Sequence, residues 1–241
     1  MGAQKIRKDK NMKIAIVGLL EFPLGKKNLE DARLGVLEGL IKPSKTTYLT
    51  IEFLDGSRVK DADGIICDKE AKLDLVIQDL EVVENRLQRL QEGEEKNFSQ
   101  RLKEILEKNK CLIEENFSEE EKKTLLNYNL VSIKPIYFVD KNENKPVQEI
   151  IFAAYYSFGM NCFITGAKDK ELKSWPIKKG ATAYEASGAI HSAIQSKFIK
   201  AEIIAYEDVV KAGGLAQAKQ YMHLEGRDYV MKDGDLLNVR T

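Results

Sequence analysis

Two kinds of apolar pattern alternate along the chain. Short apolar runs closed by glycine or by Asp-Gly mark buried strands. They are Lys13-Ile14-Ala15-Ile16-Val17-Gly18, Ile51-Glu52-Phe53-Leu54-Asp55-Gly56 and Lys134-Pro135-Ile136-Tyr137-Phe138-Val139-Asp140. Leu29 to Leu40 reads as a helix. From Leu73, apolar residues recur at Val76, Leu80, Val83, Leu87 and Leu90 in steps of three and four, a heptad seam that Gly93 ends. Phe98, Leu102, Ile105 and Leu106 line a second amphipathic stretch, so the pair predicts an antiparallel helical hairpin. Ser118-Glu119-Glu120-Glu121 is a capping box opening a third helix that ends near Asn127.

The last third changes character. Asn161–Gly166 and Lys173–Gly180 read as paired strands, followed by a second capping box, Thr182-Ala183-Tyr184-Glu185. The box opens a helix whose apolar face is Ala186, Ala189, Ile190, Ala193, Ile194 and Phe198. A strand over Ile199–Tyr206, a helical piece around Gly213-Gly214 and a terminal hairpin complete the pattern. The hairpin pairs residues 228–232 with 236–240 across Asp233-Gly234-Asp235. Together these elements predict a β-grasp, ubiquitin-like arrangement.

Candidate chemistry sits at the front. Strand, Gly18, Gly25-Lys26 and a following helix outline a phosphate-binding loop, in which backbone N–H groups cradle phosphate, Lys neutralises it and a hydroxyl holds Mg²⁺. Here the glycines lie seven positions apart instead of five. Lys27 occupies the hydroxyl position, and an ammonium cannot ligate a metal. Asp55 would reach Mg²⁺ through water in such an enzyme. The alternative is an ordinary strand, loop and helix, with Asp55-Gly56 a plain turn. His191 and His223 read as structural side chains, since no nucleophile or orienting acid stands near them in the sequence.

Charge refines the picture. The 38 basic and 38 acidic residues cancel over the 241-residue chain, which argues against nucleic-acid coating by bulk charge. The sum hides a net +4 over residues 1–13, −4 over 69–124 and +2 over 160–241. Any RNA contact must therefore come from a local patch. Cys67, Cys111 and Cys162 are spaced for neither a disulfide framework nor zinc, and are expected as reduced thiols in a cytoplasmic protein. No apolar stretch reaches the ~18 residues of a membrane span.

Residues 158–241 closely resemble the TGS domain that closes the Obg-like (YchF) ATPases. Phe163–Lys168, Trp175–Thr182, Ile190-His191-Ser192, Phe198–Tyr206, Leu224–Tyr229 and Lys232–Asp235 carry the resemblance. It extends upstream through Asp79–Leu87, Glu119–Leu126 and Lys134-Pro135. The resemblance implies an α/β protein with a reduced P-loop-type core over 13–68 and 129–157. It further implies an inserted antiparallel coiled-coil arm over 69–128 and a β-grasp TGS domain over 158–241, behind a basic tail at 1–12.

The departures concentrate where chemistry would occur. The family's phosphate loop resembles G-L-P-N-V-G-K-S, against the stretched Gly18–Asn28 loop here. Its Asn-x-x-Glu base-recognition motif falls on Lys141-Asn142-Glu143-Asn144, with lysine in place of asparagine. Three functions remain in view. The first is a non-hydrolysing, ribosome- or RNA-associated relative without cofactor, whose contacts are Lys178, Lys179, Arg227 and Lys232, aided by Lys5, Arg7, Lys8 and Lys10. The second is a slow ATPase or GTPase in which Gly18, Gly25 and Lys26 grip phosphate and Asp55 holds Mg²⁺. The third is a protein-interaction adaptor acting through the heptad seam.

Overall fold

The structure, a computed structural model, describes residues 11–143 and 145–241. Lys5, Arg7, Lys8, Lys10 and Asn144 lie outside the described residues. The chain forms two compact units, Met1–Lys27 with Ile51–Ala154, and Asn28–Thr50 with Tyr155–Thr241.

The first unit carries a five-stranded sheet of order β2-β4-β1-β5-β6. Its strands are β1 (Met12–Val17), β2 (Gly25–Asn28), β4 (Thr50–Asp55), β5 (Gly64–Asp68) and β6 (Ile136–Val139). The pairings β1–β4, β1–β5 and β5–β6 are all parallel. Parallel strands covered on both faces read as continuous apolar runs, as in Ile14–Val17 and Gly64–Cys67, all buried.

Three helices follow β5: α2 (Lys72–Leu87), α3 (Glu94–Glu107) and α4 (Glu119–Leu125). The ion pairs Arg86–Glu95 and Lys103–Glu84 set α2 and α3 in opposite directions. Val76, Val83, Leu102, Leu106, Phe117 and Leu125 form their common core. Leu73, expected to start the seam, is 47% exposed, so the packed seam begins at Val76. The Ser118–Glu121 capping box is formed in both directions.

Two buried polar devices fix this unit. Asp79 on α2 is 1% exposed and accepts the N–H groups of Val131 (2.8 Å) and Ser132 (2.7 Å). Burial pushes its carboxyl up from the ordinary range, against the pull of those donors. The Lys134 ammonium donates to the carbonyls of Val59, Lys60 and Ala62 at 2.9, 2.7 and 2.7 Å. It thereby closes the end of the 3₁₀ segment Gly56–Asp61.

The second unit is a mixed six-stranded sheet of order β10-β9-β11-β7-β8-β3. These strands are β3 (Lys45–Thr47), β7 (Met160–Thr165), β8 (Glu171–Lys178), β9 (Lys200–Ile204), β10 (His223–Glu225) and β11 (Leu236–Arg240). The helix α5 (Val147–Ser157) precedes β7. Successive residues alternate between faces. Phe163, Ile203 and Leu237 enter a core with Ala183 and Ala186 of α6 (Ala183–Ile190) and with Phe198, just past α7 (Ser192–Ser196). Their neighbours Ile164, Ile204 and Leu236 enter another core. There they meet Leu34, Leu37 and Ile41 of α1 (Ala32–Ile41), Val209 of α8 (Tyr206–Ala212) and Ala218 of α9 (Leu215–Ala218). Residues 28–50 thus contribute one helix and one edge strand to this unit.

Two expectations for the C-terminal third are corrected. The terminal hairpin does not form: β11 lies between antiparallel β9 and parallel β7. The buried Asp235 carboxylate instead takes the Tyr229 hydroxyl (3.1 Å) and the Lys232 N–H (2.9 Å), folding 229–235 as a loop. The expected single helix from residue 183 breaks at His191, whose backbone is extended and whose Nδ1 accepts the Ala193 N–H at 3.1 Å to start α7.

Candidate functional site

In an open parallel sheet, ligands bind at the carboxyl ends of the strands. A cavity of about 400 Å³ lies there, against the ends of β1 and β4. Its walls are Ile16–Leu20, Phe22, Leu24, Asp55, Gly56 and Val59, with Asp74, Leu75 and Gln78 from α2.

Gly18 and Asp55 come together at this cavity, but each has a structural duty. Gly18 adopts φ +77°, and a Cβ there would stand 2.5 Å from the Ala71 Cβ and 2.9 Å from the Asp68 Cβ. Glycine is therefore required by the packing of the loop on residues 68–71. Asp55 accepts the Ser57 N–H at 2.9 Å and caps the 3₁₀ segment; hydrogen bonds from Ser57 hold its carboxyl below the usual range. Gly25 and Lys26 lie elsewhere. They belong to the exposed strand β2, at the edge of the sheet, and do not line the cavity. The phosphate-loop outline fails because the chain after Leu24 pairs beside β4, and the helix that follows packs in the second unit.

Among the described residues, no lysine or arginine lines the cavity. The nearby cations are committed to other acids: Lys69 to Asp140 (3.6 Å), Lys72 to Glu114 (2.9 Å), and Lys141 to Asp68 (3.6 Å) and Glu70. The lysine standing at the base-recognition position is thus tied to the end of β5. A polyphosphate entering the cavity would face Asp55 and Asp74, and the described residues offer no ammonium or guanidinium there to offset its charge. Among the described residues, no group of three or more His, Cys, Asp or Glu could hold a metal.

The four basic candidates of the second unit are exposed. Backbone hydrogen bonds from Ala183 to Tyr229, Tyr184 to Arg227 and Met231 to Ala181 bring segments 178–184 and 227–232 side by side. Lys178, Lys179, Arg227 and Lys232 therefore share one region. The Arg227 guanidinium also lies 4.7 Å from the centre of the Tyr184 ring.

Sequence reasoning missed an ion-pair cluster in the same unit. Arg33 binds Asp31 through Nε (3.0 Å) and Nη2 (2.7 Å), and Asp233 through Nη1 (2.7 Å). Its Nη2 also reaches the Cys162 sulfur at 3.1 Å and the Tyr156 hydroxyl at 3.3 Å. Burial works to raise the Asp31 carboxyl, but Arg33 outweighs it and holds the group below the usual range. Gly234, at φ +83°, leaves room for the guanidinium, since a Cβ there would sit 2.4 Å from Nη1. Arg33 and Asp233 are 200 residues apart in the chain, and no local pattern links them.

All three cysteines are free and buried. Burial pushes the Cys67 thiol up to about 12 and the Cys111 thiol up to about 11.

Comparison with known proteins places this architecture. Residues 160–241 match the model of the YchF-GTPase_C family, described as a protein of unknown function. The ribosome-binding ATPase YchF of Bacillus subtilis is 26% identical over 93% of this chain and 88% of its own length. The Haemophilus influenzae protein of the same name is 37% identical over 41% of this chain, but over only 27% of its own length. Obg-like ATPase 1 of Gallus gallus is 34% identical over 43% of this chain and 26% of its own length. The structure of the Schizosaccharomyces pombe YchF GTPase superposes with a TM-score of 0.76 at 18% identity, covering 97% of this chain and 99% of that one. The fold, the C-terminal match and the relatives agree: residues 160–241 match the YchF C-terminal family, and the chain as a whole is similar to the YchF and Obg-like ATPases.

Proposed function

We propose that this protein is a cytoplasmic, ribosome-associated binding protein of the YchF/Obg-like family that does not turn over nucleotide. The observation carrying this reading is the cavity at the ends of β1 and β4, where the described residues present two carboxylates and no cation. Phosphoryl transfer depends on positioning and charge neutralisation by Lys and Mg²⁺. Lys26 lies on an edge strand and Lys141 is bound to acids, which leaves neither for phosphate.

Ribosome association is inferred from the relatives, which are named ribosome-binding ATPases. Residues 158–241 would serve as a TGS-type β-grasp module. Its five strands, ranked by their own sequence order, lie 4-3-5-1-2 across the sheet with α6 on one face, which supports that assignment. Lys178, Lys179, Arg227 and Lys232 would meet RNA phosphate, and the helices of 69–128 would act as a docking arm.

The test has two arms. Fluorescent ATP and GTP analogues, with and without Mg²⁺, should not bind below ~100 μM. Tighter binding lost in Lys26→Ala would overturn the reading in favour of a slow nucleotidase. Co-sedimentation with ribosomes should weaken steeply with salt, and a Lys178→Gln/Lys179→Gln/Arg227→Gln/Lys232→Gln variant should flatten that dependence. Salt-independent binding, or none, would favour a protein adaptor.

A further inference from the structure

We propose that the cavity at the ends of β1 and β4 is a docking site for a basic, leucine-bearing segment of a partner protein. This rests on the reading that the cavity does not hold nucleotide.

Three observations favour that occupant. The first is apolar. Leu20, on the lip of the cavity, is 102% exposed and Leu24 is 48% exposed, while Phe22 between them is buried against Phe53. The lip 19–24 is thus anchored through Phe22 and turns two leucines to solvent beside the apolar walls formed by Ile16, Val17, Val59 and Leu75.

The second is electrostatic. Asp55 and Asp74 face the same space, and neither has an ion-pair partner among the described residues. The Asp55 carboxylate is held by hydrogen bonds from Ser57, its N–H to Oδ1 at 2.9 Å among them, but these neutral donors leave its charge in place. Lys69, Lys72 and Lys141, on the chain around the start of α2 and at the end of β6, are all paired with other acids. Among the described residues, the cavity therefore presents two carboxylates and no ion-pair partner for either.

The third is the exclusion of simpler ligands. An anion is repelled. A wholly apolar ligand would strip water from two carboxylates and give them nothing in return. A guanidinium or ammonium beside an aliphatic side chain satisfies both halves at once, the cation between Asp55 and Asp74 and the aliphatic group against Leu20 and Leu24. Arginine supplies five donors in a fixed fork for such carboxylates, and its stem adds apolar contact.

The experiment uses the full chain and a fluorescein-labelled dodecapeptide of alternating arginine and leucine, read by anisotropy. Peptides with glutamate for arginine, or serine for leucine, are the controls. The expected result is saturable binding of the Arg–Leu peptide alone. It should weaken about tenfold or more in the Asp55→Asn/Asp74→Asn variant and in Leu20→Ser. All three side chains are exposed, and asparagine at 55 can still accept the Ser57 N–H, so circular dichroism should match the parent protein. Equal binding by the variants, or no binding at 500 μM peptide, overturns the proposal. A parallel titration with fluorescent ATP separates the two readings. If neither peptide nor nucleotide binds, only the docking proposal falls; if ATP binds and displaces the peptide, the non-nucleotide reading falls.

Discussion

The two sheets make opposite use of their polar residues. In the first unit, the carboxyl ends of the parallel strands are where a nucleotide-binding fold places free backbone and free charge. There the cations are spent internally, Lys69, Lys72 and Lys141 on acids, while Asp55 caps a turn; at the opposite, amino ends of β5 and β6, Lys134 is spent on three carbonyls. In the second unit, the buried polar cluster around Arg33 holds a helix against a sheet whose two faces are both covered. In one unit the cations near the strand ends are held by the chain's own acids; in the other a guanidinium joins residues 200 positions apart. The lesson is that a motif's residues can persist in sequence while the geometry assigns them to stability.

The largest test of this contrast is Leu37→Ala. Leu37 lies outside the family-matched residues 160–241, yet it is fully buried against Ile164 and Leu236. The substitution should cost about 2–5 kcal/mol in denaturant unfolding, with faster amide exchange in β7 and β11. An effect confined to α1 would show that the second unit does not need the segment.

Next comes Asp79→Ala in the first unit. It strands the N–H groups of Val131 and Ser132 and should cost about 1–3 kcal/mol. The pH dependence has a defined sign. Because burial raises the folded carboxyl above its ordinary value of 3.8, the native state binds the proton more tightly than the unfolded one. This contribution is fully present below pH 3.8 and is lost as pH rises through the folded value. Asp79→Asn should remove that part of the slope, as followed by urea midpoints across acidic pH.

Thiol labelling gives a smaller readout. With Cys67 pushed to about 12 and Cys111 to about 11, and all three thiols buried, a disulfide reagent at pH 8 should react with none of them in the native protein. All three should react in denaturant. Native labelling of Cys162 alone would show that the Arg33 cluster opens.

The smallest effect is expected from Lys141→Asn, which restores the asparagine of the family's base-recognition pattern. Lys141 itself is half-exposed, and its contact with the buried Asp68 is long at 3.6 Å, so stability should change by less than about 1 kcal/mol. Nucleotide titration should remain flat, since the cavity still lacks a cation. Gain of nucleotide binding would mean that one lysine alone had closed the site.

Legibility in the sequence followed locality. Both capping boxes formed as read, because each is made by residues three apart. The strands at β1, β4 and β6 were visible as apolar runs. β5 went unread because its five residues are flanked by Asp63 and Lys69 and begin with Gly64, which imitates a turn. β2 and β3 are polar, short and at sheet edges, where packing supplies no pattern. At the candidate site, Gly18 and Asp55 were legible and do meet. Asp74 was hidden within a heptad helix, and Lys26 was misleading because its neighbours matched a loop the backbone does not make.

The position of α1 has a consequence for biosynthesis. Residues 32–41 leave the translating machinery with Leu34, Leu37 and Ile41 unpaired, and Asp233, the partner of Arg33, follows 200 residues later. At 5–20 residues per second the wait for Asp233 is roughly 10–40 s, and the core partners of the helix, from Ile164 to Leu236, also arrive only in the last third of the chain. The second unit must then close around its earliest-made piece last, so synthesis pauses late in the chain should raise aggregation more than pauses near the start.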